Sequence, residues 1–95
     1  MKEVPAAVNE AAARSYGMTI SGYLFEPRHH GLSFDGLIFF DKADRFDTGT
    51  RIRTSAVIEF VERSGYVIAV TNKSAYVLVD KDGPWKLALA RSGGA

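Results

Sequence analysis

The sequence predicts a small, mainly β protein: a single curled antiparallel sheet or small, partly open barrel of five to six strands, with one short N-terminal helix. Three observations lead there. Apolar residues fall in short stretches at strand spacing, turn-forming groups separate those stretches, and β-branched and aromatic residues concentrate between Thr50 and Asp80. A flat sheet would expose too many of Leu24, Phe25, Phe39, Phe40, Val57 and Val61, so the sheet is expected to curl.

At 95 residues, 46% hydrophobic and 12% aromatic, the chain can fill one core but not two. A single domain over 1–95 follows, with a helix and lead-in at 1–16, a β-rich core at 17–90 and a disordered tail at 91–95. Pro5 suits a first helical turn, and the alanines among Ala6 to Arg14 favour a short helix, which either docks through Val4, Val8 and Ala12 or stays frayed. Gly17 is placed to stop it. A strand is expected from Met18 to Glu26, with Gly22 marking a bulge or a close backbone approach. Pro27 should end that strand, leaving Arg28-His29-His30-Gly31 as an exposed, positively leaning loop.

Leu32 to Phe40 reads as one bent strand, with the Asp35-Gly36 pair at the bend. A tight hairpin there would leave only three residues on each arm. The unbroken run Leu37-Ile38-Phe39-Phe40 implies cover on both faces, from the helix or from a partner chain. A charged connection, 41–49, leads to a three-strand meander. Its first strand, Arg51 to Val61, alternates Ile52, Thr54, Ala56, Ile58 and Phe60 against Arg51, Arg53, Ser55, Val57, Glu59 and Val61. Turns at Glu62-Arg63-Ser64-Gly65 and Asn72-Lys73 separate it from Tyr66 to Thr71 and Ser74 to Asp80. After the turn signal Lys81-Asp82-Gly83-Pro84, alternation from Trp85 to Ala90 predicts a last strand.

The chemistry is sparse. Without cysteine there is no disulfide, thiolate metal site or cysteine nucleophile. His29 and His30 are the only histidines, and the nearest acids, Asp35, Asp41, Asp44 and Asp47, match no metal-loop spacing. Ser33 or Ser55 with His30 has no catalytic motif behind it. No glycine-rich phosphate loop occurs. The chain is therefore read as a non-enzyme that needs neither cofactor nor metal.

No window approaches the roughly 18 to 20 apolar residues of a membrane span, and the start lacks a secretory apolar region. A soluble cytoplasmic protein without membrane contact is expected. A net charge of +1 argues against a nucleic-acid binder that uses its whole surface. The candidate partner-binding residues are basic: Arg51 and Arg53, which share a strand face, bordered by Arg28, His29, His30, Lys42 and Arg45. With Tyr66 or Tyr76 across the sheet, such a face could stack single-stranded nucleic acid; pairing of Arg53 with Glu59 would neutralise it.

The run from Phe46 to Val57, Phe46-Asp47-Thr48-Gly49-Thr50-Arg51-Ile52-Arg53-Thr54-Ser55-Ala56-Val57, followed by a Val- and Tyr-rich hairpin up to Val79, resembles small uncharacterised proteins encoded by bacteriophages and prophages. The resemblance covers about a third of the chain. It implies a mobile-element accessory protein that docks on and inhibits a host protein complex, as anti-CRISPR proteins do. Two other readings accompany it: a small nucleic-acid-binding barrel, and a homodimer built through Leu37, Ile38, Phe39 and Phe40.

Overall fold

A computed structural model describes residues 3–86. One helix, α1 (Ala6–Ala12), precedes β1 (Gly22–His30), β2 (Ser33–Phe39), β3 (Arg51–Arg53), β4 (Glu59–Arg63), β5 (Tyr66–Val70), β6 (Ala75–Asp80) and the two-residue β7 (Gly83–Pro84). They form one sheet in the order β3-β2-β1-β6-β5-β4, with β7 beside β6. All pairings are antiparallel except the central one, where β1 runs parallel to β6. The mainly β, unclosed sheet with one short helix is as the sequence predicts.

The expected meander is β4-β5-β6. Its first turn places Ser64 and Gly65 at φ 54° and 84°, the paired left-handed geometry that lets a two-residue loop follow the strand twist. In the second turn, Thr71 Oγ1 accepts from the N–H groups of Lys73 and Ser74, at 3.3 and 3.0 Å.

Each face of the sheet carries a core. On one, Val8 and Ala11 of α1 and the ring of Tyr16 pack on Phe39, Tyr66, Ile68, Val77 and Val79. α1 is too short to be stable alone, and this docked stripe is what holds it. The Tyr16 hydroxyl donates to Ala11 O at 2.6 Å, tying the helix end to the sheet. On the other face, Leu24, Phe34, Ile38, Ile52, Val67, Ala69, Tyr76 and Leu78 form a second core, joined by Val57, Phe60 and Trp85. Curvature closes it. Phe34 of β2 meets Trp85 at 5.3 Å and Phe60 of β4 at 5.9 Å between ring centroids, although β2 and β4 lie near opposite ends of the strand order.

Three expectations are corrected. Met18 to Glu26 is not the strand: β1 starts at Gly22, and Met18 and Ile20 pack on the helix-side core, away from Leu24. Pro27 does not end it either. The register against β2 slips between Phe25 and Arg28, and Glu26 sits at φ 51°, so Pro27 lies in a bulge. The strand then runs on through His30 and turns at Gly31-Leu32. Finally, Arg51 to Val61 is not one strand. Thr54 N–H donates to Phe34 O and Val57 N–H to Leu32 O, whereas Ile58 N–H donates to Val70 O. The chain therefore crosses from the β2 edge to the β5 edge, and its alternation changes phase: Val57 packs inward and Ile58 is left exposed.

Leu32 to Phe40 is the single strand expected, and Gly36 lies opposite the bulge. A Cβ there would stand 2.8 Å from Leu24 Cγ and 2.9 Å from Phe25 O. Its hydrogen is what lets Leu24 lie across β2. The expected strand from Trp85 to Ala90 and the tail at 91–95 lie outside the described residues, apart from Trp85 and Lys86. No described helix is long and apolar enough to cross a membrane.

Candidate functional site

The β1–β2 hairpin and β3 set Arg28, Asp35 and Arg53 side by side, because Asp35 pairs with Arg28 on one flank and with Arg53 on the other. Directly opposed residues of antiparallel strands project to the same face. Arg51, opposite Leu37, projects there too. This is the face that α1 covers further along the sheet, left open at the hairpin end.

Asp35 is the hub. Its Oδ1 receives Arg28 Nε at 3.1 Å and Arg51 Nη1 at 2.8 Å, and His30 Nε2 lies 2.5 Å from Oδ2. Partial burial would raise this carboxyl, but hydrogen bonds from Arg28 and His30 outweigh it and hold Asp35 below the ordinary carboxylate range. Two guanidinium groups thus bond one carboxylate, and a third arginine, Arg53, stands opposite it in the strand register, so the cluster keeps a clear positive excess. The Arg28 and Arg51 side chains remain 62% and 45% exposed, free to make further bonds.

Beside it stands an apolar tip. Leu32, in the hairpin turn, is 73% exposed and Ile58 is 63% exposed; the bond from Val57 N–H to Leu32 O brings the two segments together.

Of the basic residues singled out in the sequence, Arg28, His30, Arg51 and Arg53 gather here. His29, the next residue along the strand, is on the other side, stacked on the Phe34 ring at 4.5 Å and 14°. Lys42 and Arg45 lie near the start of β1, the opposite end of the strand. Arg45 Nη2 bonds Asp41 Oδ1 at 3.0 Å and the Tyr76 hydroxyl at 3.2 Å, and Lys42 N–H donates to Ser21 O.

Tyr66 and Tyr76 do not flank the arginines; both are buried, one in each core. Nor does Glu59 pair with Arg53, since Glu59 belongs to β4 at the far end of the strand order. Sequence reasoning missed Asp35 as the organiser. The readable signal was the placement of Arg28 and Asp35 about Gly31, which a hairpin at that glycine would make neighbours.

Ser33 Oγ donates to the His30 carbonyl rather than to its ring. Among the described residues, no group of three or more His, Asp and Glu could hold a metal ion. Chemically, exposed guanidinium groups of this kind offer paired donors that match the geometry of a carboxylate. In class, the molecule is a small half-curled β-sheet with a cationic and apolar hairpin end. Comparison with protein-family models, curated proteins and solved structures returns no match.

Proposed function

We propose that this chain is a non-enzymatic binding protein that docks on an acidic surface of a protein partner through its hairpin end. The observation that carries the reading is the cluster of Arg28, His30 and Arg51 around the single carboxylate of Asp35, with Arg53 opposite it on the next strand and Leu32 and Ile58 exposed beside it. Arginine offers paired donors to carboxylates and is enriched at the energetic centres of interfaces. Asp35 holds two of these guanidinium groups in place, so less side-chain entropy is lost on binding. The setting we favour is a mobile-element accessory protein that blocks a host defence complex, in keeping with the resemblance of the segment from Phe46 to Val57 to phage-encoded proteins.

Protein is preferred to nucleic acid because the neighbours of the arginines are aliphatic; the tyrosines that could stack bases are buried. A homodimer through Leu37 to Phe40 has less in its favour. β2 is paired on both sides, by β1 and β3, and beyond β3 the Ile38 backbone bonds Thr50 and Gly49.

The test is an NMR titration at low salt with a peptide of alternating Glu and Leu residues. Saturable shifts at Arg28, Leu32, Asp35 and Arg53 amides, lost in an Arg51→Glu/Arg53→Glu variant, support the reading. Absence of saturation, or a single-stranded DNA oligonucleotide that shifts the same amides at lower concentration, overturns it.

A further inference from the structure

At the other end of β1, the loop after β2 and the β5–β6 turn enclose a cleft of about 220 Å³ lined by Ser21, Lys42, Ala43, Arg45, Lys73 and Ser74. We propose that this cleft binds a phosphate monoester, with Lys42, Lys73 and Arg45 neutralising the dianion and the hydroxyls of Ser21 and Ser74 donating to its oxygens.

The cleft is lined by three cations and, among the described residues, by no acid. Two acids adjoin lining residues in sequence. Asp41 is already committed: its side chain is 2% exposed and accepts from the Arg45 guanidinium and from the N–H groups of Arg45 and Phe46. Asp44 is exposed and is not part of the lining. Arg45 is itself braced by Asp41, by the Tyr76 hydroxyl and by the Phe46 ring, 5.2 Å from its guanidinium carbon. Lys42 and Lys73 make no ion pair among the described residues.

The Ser21 hydroxyl and the backbone of the cleft are set in advance. Ser21 is stitched on three sides: its N–H donates to Ala75 O at 2.7 Å, its carbonyl accepts from Lys42 N–H at 2.7 Å, and its Oγ accepts from Ala75 N–H at 3.0 Å. An Oγ that accepts this bond keeps its own proton to donate. Thr71 Oγ1 fixes the backbone of Lys73 and Ser74 in the same way. Convergent cations and donors on a braced backbone suit a compact, doubly charged oxyanion, to which charge-assisted bonds are the strong ones. The cleft is far larger than a water site, which leaves room for the carbon side of an ester.

The site is independent of the hairpin end, and so is its test. The full chain is titrated by ¹H–¹⁵N NMR with inorganic phosphate and, separately, with ribose 5-phosphate, at pH 7.5 and ionic strength held constant with sodium chloride. Saturable shifts at the Ser21, Lys42, Lys73 and Ser74 amides are expected, with the ester at least as tight as free phosphate. A Lys42→Gln/Lys73→Gln variant should lose at least tenfold in affinity. Both lysines are exposed, so its spectrum should otherwise match the wild type; Ser74→Ala, whose hydroxyl makes no bond among the described residues, should lose about threefold. The Arg51→Glu/Arg53→Glu variant should bind as the wild type does. Linear shifts, the same response to chloride alone, unchanged affinity in the double-lysine variant, or binding of free phosphate but not the ester would overturn the proposal.

Discussion

Replacing Phe34 by alanine tests how the sheet is held in its curl. The ring is fully buried and touches His29, Phe60 and Trp85, which come from β1, from β4 and from the segment after β7. Truncating a buried phenylalanine costs about 3–5 kcal/mol, because the vacated volume adds to the lost transfer energy. The total stability of a chain this long is about 5–14 kcal/mol, so the loss is roughly a fifth or more of the whole. At about 4–8 °C per kcal/mol, the melting temperature should fall by at least about 12 °C. The assay is urea unfolding followed by far-ultraviolet circular dichroism and by fluorescence of Trp85, the only tryptophan. Emission should shift red even in the folded variant, since the indole loses the ring it packs on. Leu32→Ala, at an exposed site, should change stability by less than about 0.5 kcal/mol. If Phe34→Ala costs less than about 1 kcal/mol and leaves the Trp85 emission unmoved, the two ends of the sheet do not meet through Phe34.

Three further perturbations bear on the same framework. Gly36→Ala should cost about 1–3 kcal/mol by urea unfolding, because its Cβ would press on Leu24 and on the Phe25 carbonyl; Gly31→Ala, at φ 59° in open space, should cost only about 1 kcal/mol. Burial would raise the Asp41 carboxyl, but hydrogen bonds from Arg45 hold it below the ordinary range. Its stabilising effect is therefore present above pH about 4 and is lost as pH falls through its depressed value. Asp41→Asn should accordingly cost about 1–2 kcal/mol at pH 7 and progressively less below pH 4 in matched urea titrations. Asp80 is the reverse case. Burial first, then Asp82 and Glu26, push its carboxyl up. Its charge weakens the fold at neutral pH and is relieved by acid, so Asp80→Asn should stabilise by up to about 1 kcal/mol at pH 7 and by nothing near pH 3.

The local parts of this fold were legible. The Ser64-Gly65 turn and the short helix beginning after Pro5 each follow from residue type and spacing. Gly22 is crowded, but by a side chain rather than the backbone expected: a Cβ there would meet Ile38 Cδ1 at 2.8 Å. What escaped was non-local. Nothing in the alternation from Arg51 to Val61 shows that its first residues pair with β2 and its last with β5, because both pairings place Ile52 and Phe60 inward. Pro27 reads as a strand stop unless a bulge spares its missing N–H. Arg51 and Arg53 were correctly placed on an outer face, yet their neighbour proved to be Asp35 rather than Glu59. That identity depends on the order of strands, which no local pattern carries.

The docking reading is tested most directly in cells, by a photo-crosslinking amino acid at position 32 compared with one at position 47, in the loop that leads to β3. The account predicts a discrete protein adduct from position 32 alone, abolished by Arg51→Glu/Arg53→Glu and formed with an acidic surface of the partner when the crosslinked peptide is mapped. Equal adducts from both positions, or an adduct at position 32 that survives the charge reversal, would contradict it.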